Sequence, residues 1–152
     1  VMRWPRRPHL SATASNPKGE IVIDGIKCCG LTMDDAGALY VSDDEKHEVR
    51  RYDKGGDKTG IVVAGGHGKG AGLDQLNTPT HLFVDAQKNL YVSDSGNHRV
   101  MKWMPGATEG SVVAGGNGQG EKVTQLSYPQ GVWVDGCGHV YVADEENHRV
   151  MR

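Results

Sequence analysis

No excess of basic charge marks this chain: 17 Lys and Arg face 19 Asp and Glu among its 152 residues, for a formal net charge of −2. A broad positive field able to hold phosphodiesters is therefore missing, and nucleic acid is not an expected partner. No apolar run approaches the eighteen or so residues of a membrane helix, so no membrane contact is expected, and no basic-then-apolar leader opens the chain. It begins on Val rather than Met; the expectation is a mature, processed or truncated product. The three cysteines, Cys28, Cys29 and Cys137, have neither a CxxC spacing nor a nearby pair of histidines, so their pattern does not support zinc. Free thiols, or one disulfide with a thiol left over or bonded to a partner, both fit. Missing too is any uninterrupted 3.6-residue apolar period, which excludes a helical domain.

What is present is repetition. Asp34, Asp85 and Asp135 recur at spacings of 51 and 50; Tyr40, Tyr91 and Tyr141 follow each by six, and His47, His98 and His148 follow each Tyr by seven. "IVVAGGHGKGAGLDQLNTP" from Ile61 matches "SVVAGGNGQGEKVTQLSYP" from Ser111 at an offset of 50. A period of this size marks stacked supersecondary units. Gly, at 22 of 152, is about twice its usual share, while the 37% of hydrophobic residues come in short, regularly spaced runs, which argues for many turns and against disorder.

Each unit reads as four short β-rich runs separated by Gly, Asp, Asn or Pro. In the third unit these are "GVWVD", "HVYVAD" and "HRVMR", the fourth being of the "VVAGG" type. Both faces of such a sheet are apolar: Val132 and Val134 point one way, Gly131 and Trp133 the other. A four-stranded sheet of this kind cannot bury itself and must stack against neighbours. The fold expected is all-β, a β-propeller of four-stranded antiparallel blades.

"VDAQKNLYVSDSGNHRVMKW" and "VDGCGHVYVADEENHRVMR" resemble NHL repeats, the name-giving triplet reading Asn97-His98-Arg99 and Asn147-His148-Arg149. The first unit departs from them: Lys46 stands for Asn, Glu48 for Arg, and the Gly-Gly loop is missing. Kelch repeats share the period and a Gly-Gly pair but not the Asp-ended strand with its following Asn-His-Arg-Val run; WD40 repeats are shorter.

Residues 1–29 read as outer strands of a preceding, degenerate blade with a linker, 30–79 and 80–129 as two blades, and 130–152 as a third lacking its outer strand. With the strands lettered a to d outward from the axis, "VMRW" and "EIVI" read as c and d strands, and an N-terminal d strand is one way to complete a last blade. Three blades do not close a ring, since propellers have about four to eight. The expectation is half of a six-bladed ring, either part of a longer chain or a protomer that associates head to tail into a ring or filament.

The candidate signature residues are Asp94, Asn97, His98 and Arg99 with Asp144, Asn147, His148 and Arg149, read as structural: Asn in the turn, His bonding neighbouring backbone, Arg pairing with the strand-end Asp. The Gly-rich loops Gly65 to Gly72 and Gly115 to Gly120 open no helix and lack a Lys-Ser/Thr pair, so they read as turns rather than phosphate cradles. His81 is a lone candidate metal ligand, on an inner strand where the other units have Gly30 and Gly131. No cofactor is expected. The function expected is a non-catalytic binding or structural module with protein partners, in an extracellular rather than cytoplasmic setting. The alternatives are a metal-dependent lyase or lactonase, and a single-strand RNA binder using the basic stretch with Arg3, Arg6, Arg7 and Lys18.

Overall fold

The Val-rich runs form eleven strands in three antiparallel sheets, in a computed structural model that describes residues 19–152. The first sheet is β1 (Cys28–Met33), β2 (Leu39–Asp43), β3 (Glu48–Tyr52) and β4 (Ile61–Gly65). The second is β5 (Pro79–Val84), β6 (Leu90–Asp94), β7 (Arg99–Trp103) and β8 (Ser111–Gly115). The third has three strands, β9 (Pro129–Val134), β10 (Val140–Asp144) and β11 (Arg149–Met151). Each sheet is ordered as its strands occur in the chain, which is a blade. The fold is all-β.

The recurring Asp builds the first hairpin of every blade. Asp85 Oδ1 accepts the N–H groups of Gln87 and Asn89; Asp34 does the same for Ala36 and Ala38, and Asp135 for Cys137 and His139. Six residues on, the tyrosine hydroxyls of Tyr40, Tyr91 and Tyr141 reach the same carboxylates, which accounts for the Asp-to-Tyr spacing. The next turn ends on a histidine in the left-handed region, with φ of 55° at His47, 53° at His98 and 50° at His148. Only a few percent of non-glycine residues adopt this conformation, so its repetition points to a constraint that the blades share.

The hydrophobic core lies between blades. Tyr40, Val49 and Ala64 of the first meet Leu82, Val92 and Met101 of the second; Tyr91 and Val100 of the second meet Val132, Val134 and Val142 of the third. A bulge near the start of each innermost strand, between Cys28 and Leu31 in β1 and between Pro79 and Leu82 in β5, frees backbone groups from the ladder. The freed carbonyls are taken up across the seam: Ser42 Oγ donates to Thr80 O at 2.7 Å, and Ser93 Oγ to Gln130 O. Gly30 is glycine for this reason, since a Cβ there would fall 2.1 Å from Thr80 O.

One expectation needs correction. Glu20 to Ile23, read as a d strand, form no strand; with Met33, Leu39 and Tyr52 of the first blade they line an open cleft. As the sequence indicates, the stretch ahead of β1 lacks the Gly-Gly pair and the Gln-Leu found ahead of β5 and β9, while Gly65 and Gly66 follow the outer strand β4. "VMRW" lies outside the described residues.

Candidate functional site

The signature Asp, Asn and Arg residues gather into two clamps, one on the second blade and one on the third. Asp94, at the end of β6, is fully buried and accepts the Asn77 N–H on Oδ1 at 2.6 Å. Its Oδ2 takes Arg99 Nε at 2.7 Å and Asn97 Nδ2 at 2.8 Å. The rest of the Arg99 guanidinium donates to the carbonyls of Ala71, Gly72 and Gln75, and Asn97 also donates to Gly70 O. Arg99 thus holds the glycine-rich loop that brings the chain from β4 to β5. Asp144, Asn147 and Arg149 repeat the arrangement on the carbonyls of Gly120, Glu121, Lys122 and Gln125. The planar fork of arginine suits this task, because it directs several N–H donors at once into a loop whose carbonyls have no ladder partners.

This explains the departures in the first blade. No glycine-rich loop precedes β1, so no row of carbonyls needs an arginine fork. Asp43 there is paired instead with Lys46 at 3.9 Å, and the buried Glu48 turns to Arg50 at 2.6 Å.

Position in the stack sets the carboxylate energetics. Burial pushes the Asp94 carboxyl above its ordinary value, against the opposing bonds from Asn77, Asn97 and Arg99. At Asp144 burial acts in the same direction but is outweighed by the Ser127 N–H, Asn147 and Arg149, and the carboxyl is held below the ordinary value. Asp94 lies in the blade covered on both faces, whereas Asp144 belongs to the last one.

The histidines act between blades. His47 Nδ1 accepts the Thr78 N–H at 3.0 Å, and His98 Nδ1 accepts that of Tyr128 at 3.2 Å. Each donor precedes the proline that begins the next blade, and the His98 ring also meets Tyr128 edge-on at 4.6 Å. His148, in the same left-handed conformation, is exposed on the third blade. His81 is exposed within β5 and joins no group of metal-ligating side chains among the described residues.

One group escaped the sequence reading. Asp135, Cys137 and His139 bring a carboxylate oxygen, a sulfur and a ring nitrogen within 4.8 Å of one another in the hairpin between β9 and β10. His139 Nδ1 lies 2.9 Å from Asp135 Oδ2, and the bond to this ring, with those from the backbone of His139 and Cys137, draws the Asp135 carboxyl down from 3.8 to about 2. All three cysteines are free and exposed.

The third blade decides the family comparison. Residues 126–151 match the NHL repeat. The matched stretch runs from the buried Leu126 through the Asp144, Asn147 and Arg149 clamp to Met151. No curated protein matches the chain in sequence.

Solved β-propeller structures resemble it. An auxiliary nutrient binding protein from Bacteroides thetaiotaomicron superposes with a TM-score of 0.62 at 20% identity, over 79% of this chain and 35% of that one. A chain of a nidogen/laminin complex gives 0.55 at 16%, over 81% and 46%. Streptogramin B lyase gives 0.51 at 11%, over 81% and 36%. At such identities the likeness concerns the fold alone. The chain spans less than half of each.

Proposed function

We propose that this chain is a non-catalytic NHL-type propeller module, three blades of a six-bladed ring, which binds protein through its blade faces and loops. The ring would be completed by further blades, supplied by a longer chain or by head-to-tail association with another copy. One observation carries this reading. The same repeat position is fully buried at Val49 and Val100, at 0% exposure, yet 73% exposed at Val150. On the opposite face, Leu82 and Val132 are 8% exposed where Leu31 is 69%. Covering one such side chain contributes roughly 1.5–3 kcal/mol, so each end of the stack offers a surface shaped like the two seams already formed.

Sedimentation of the purified chain at micromolar concentration tests it. Association is expected, and it should be lost in Leu31→Asp or Val150→Asp, both of which place a charge where the isolated chain tolerates one. A well-folded monomer that binds no hydrophobic dye overturns the reading.

A further inference from the structure

We propose that the hairpin between β9 and β10 binds a divalent transition metal through Asp135, Cys137 and His139. The donor atoms lie within 4.8 Å of one another, all from one five-residue turn. Asp135 Oδ2 and His139 Nδ1 are 2.9 Å apart. A tetrahedral ion with bonds near 2.0–2.1 Å separates two such ligands by about 3.3 Å. A shift of a few tenths of an ångström thus exchanges the hydrogen bond for a bridging ion. Cys137 and His139 are exposed, so the thiolate and ring can turn toward it without disturbing the core.

The other two blades separate what the turn needs from what the metal needs. The equivalent hairpins form the same backbone bonds to Asp34 and Asp85, with Ala36 and Ala38 in one and Gln87 and Asn89 in the other. Neither cysteine nor histidine is required to close this turn. In the second blade Asn89 Nδ2 donates to Asp85 Oδ2 at 2.8 Å, which satisfies the carboxylate without adding a metal ligand. Among these hairpins, sulfur and imidazole nitrogen come together with the carboxylate in the third alone. Thiolate, imidazole and carboxylate form a borderline donor set suited to zinc and its neighbours, whereas calcium and magnesium take oxygen ligands. Three protein ligands leave a fourth position for water or for a side chain of a partner.

The experiment titrates the reduced full chain with cobalt(II), followed by displacement with zinc. The expected result is one equivalent bound with a thiolate-to-cobalt absorption band, which zinc abolishes. The paired variant Cys137→Gln, His139→Asn installs the second blade's residues, so the hairpin still closes, as circular dichroism should verify. It should bind cobalt at least tenfold more weakly and show no thiolate band, while Cys28→Ser with Cys29→Ser should retain the band. Absence of the band in the native chain overturns the proposal. So does its survival in the paired variant, or its loss with Cys28 and Cys29.

Discussion

The hydroxyl of Ser42 donates to the carbonyl of Thr80 at 2.7 Å, across a seam between blades and 38 residues along the chain. It also accepts the Gly30 N–H at 2.8 Å, so one small side chain ties the innermost strands of two blades together. Ser93 repeats the donation to Gln130, and Ala143 holds the equivalent place on the third blade. Ser42→Ala should therefore cost about 1–3 kcal/mol by leaving buried backbone groups unpaired. Urea unfolding of the variant measures it, and a loss below about 0.5 kcal/mol would show that the seam relaxes around the missing hydroxyl.

The two arginine clamps should differ in strength. Arg99 is nearly buried, whereas the Arg149 side chain retains 27% of its exposure. Arg99→Met leaves Asp94 buried without its counterion and three loop carbonyls without a donor, for an expected loss of about 3–5 kcal/mol. Arg149→Met should cost less than half as much, because water reaches that end. Equal losses in denaturant melts would refute the difference in solvation.

Removing the His98 ring should be read out at a single amide. His98→Gly fits the left-handed backbone and so isolates the lost acceptor from strain. The Tyr128 N–H should then exchange with solvent at least tenfold faster, while that of Thr78, held by His47, keeps its rate.

Acidification gives a further check. Asp135 titrates at about 2 in the folded chain against an ordinary 3.8. The unfolded chain therefore binds more protons between these values, so this carboxylate's contribution is fully present above about pH 4 and is lost as pH falls toward 2. In His139→Ala the Asp135 carboxyl, followed by NMR, should titrate closer to 3.8, although the bonds from the Cys137 and residue-139 N–H groups remain.

Much of the architecture was legible because stacking imposes one geometry on every blade. Asp85 and Tyr91 must lie six apart for the tyrosine hydroxyl to meet the hairpin carboxylate, so spacing alone located the strands. "EIVI" misled for the opposite reason. Its apolar residues promise a strand, but a strand needs a pairing edge, and Ile21 to Ile23 instead line an open cleft beside the first blade, with Ile21 and Val22 exposed. The Asp135, Cys137 and His139 group carries neither a CxxC spacing nor a histidine pair, so a search for those patterns passes over it. In a five-residue hairpin, alternate positions converge instead of diverging, and a D-x-C-x-H run in a turn is the signal to look for.

Among the described residues no sheet possesses an interior of its own; hydrophobic packing exists where two sheets meet. The middle one, β5 to β8, participates in both meetings and the outer two in one each. Disassembly should accordingly begin at the flanks, with amides of the central sheet the last to take up deuterium, and every additional neighbour would anchor the array more firmly than its own strands do.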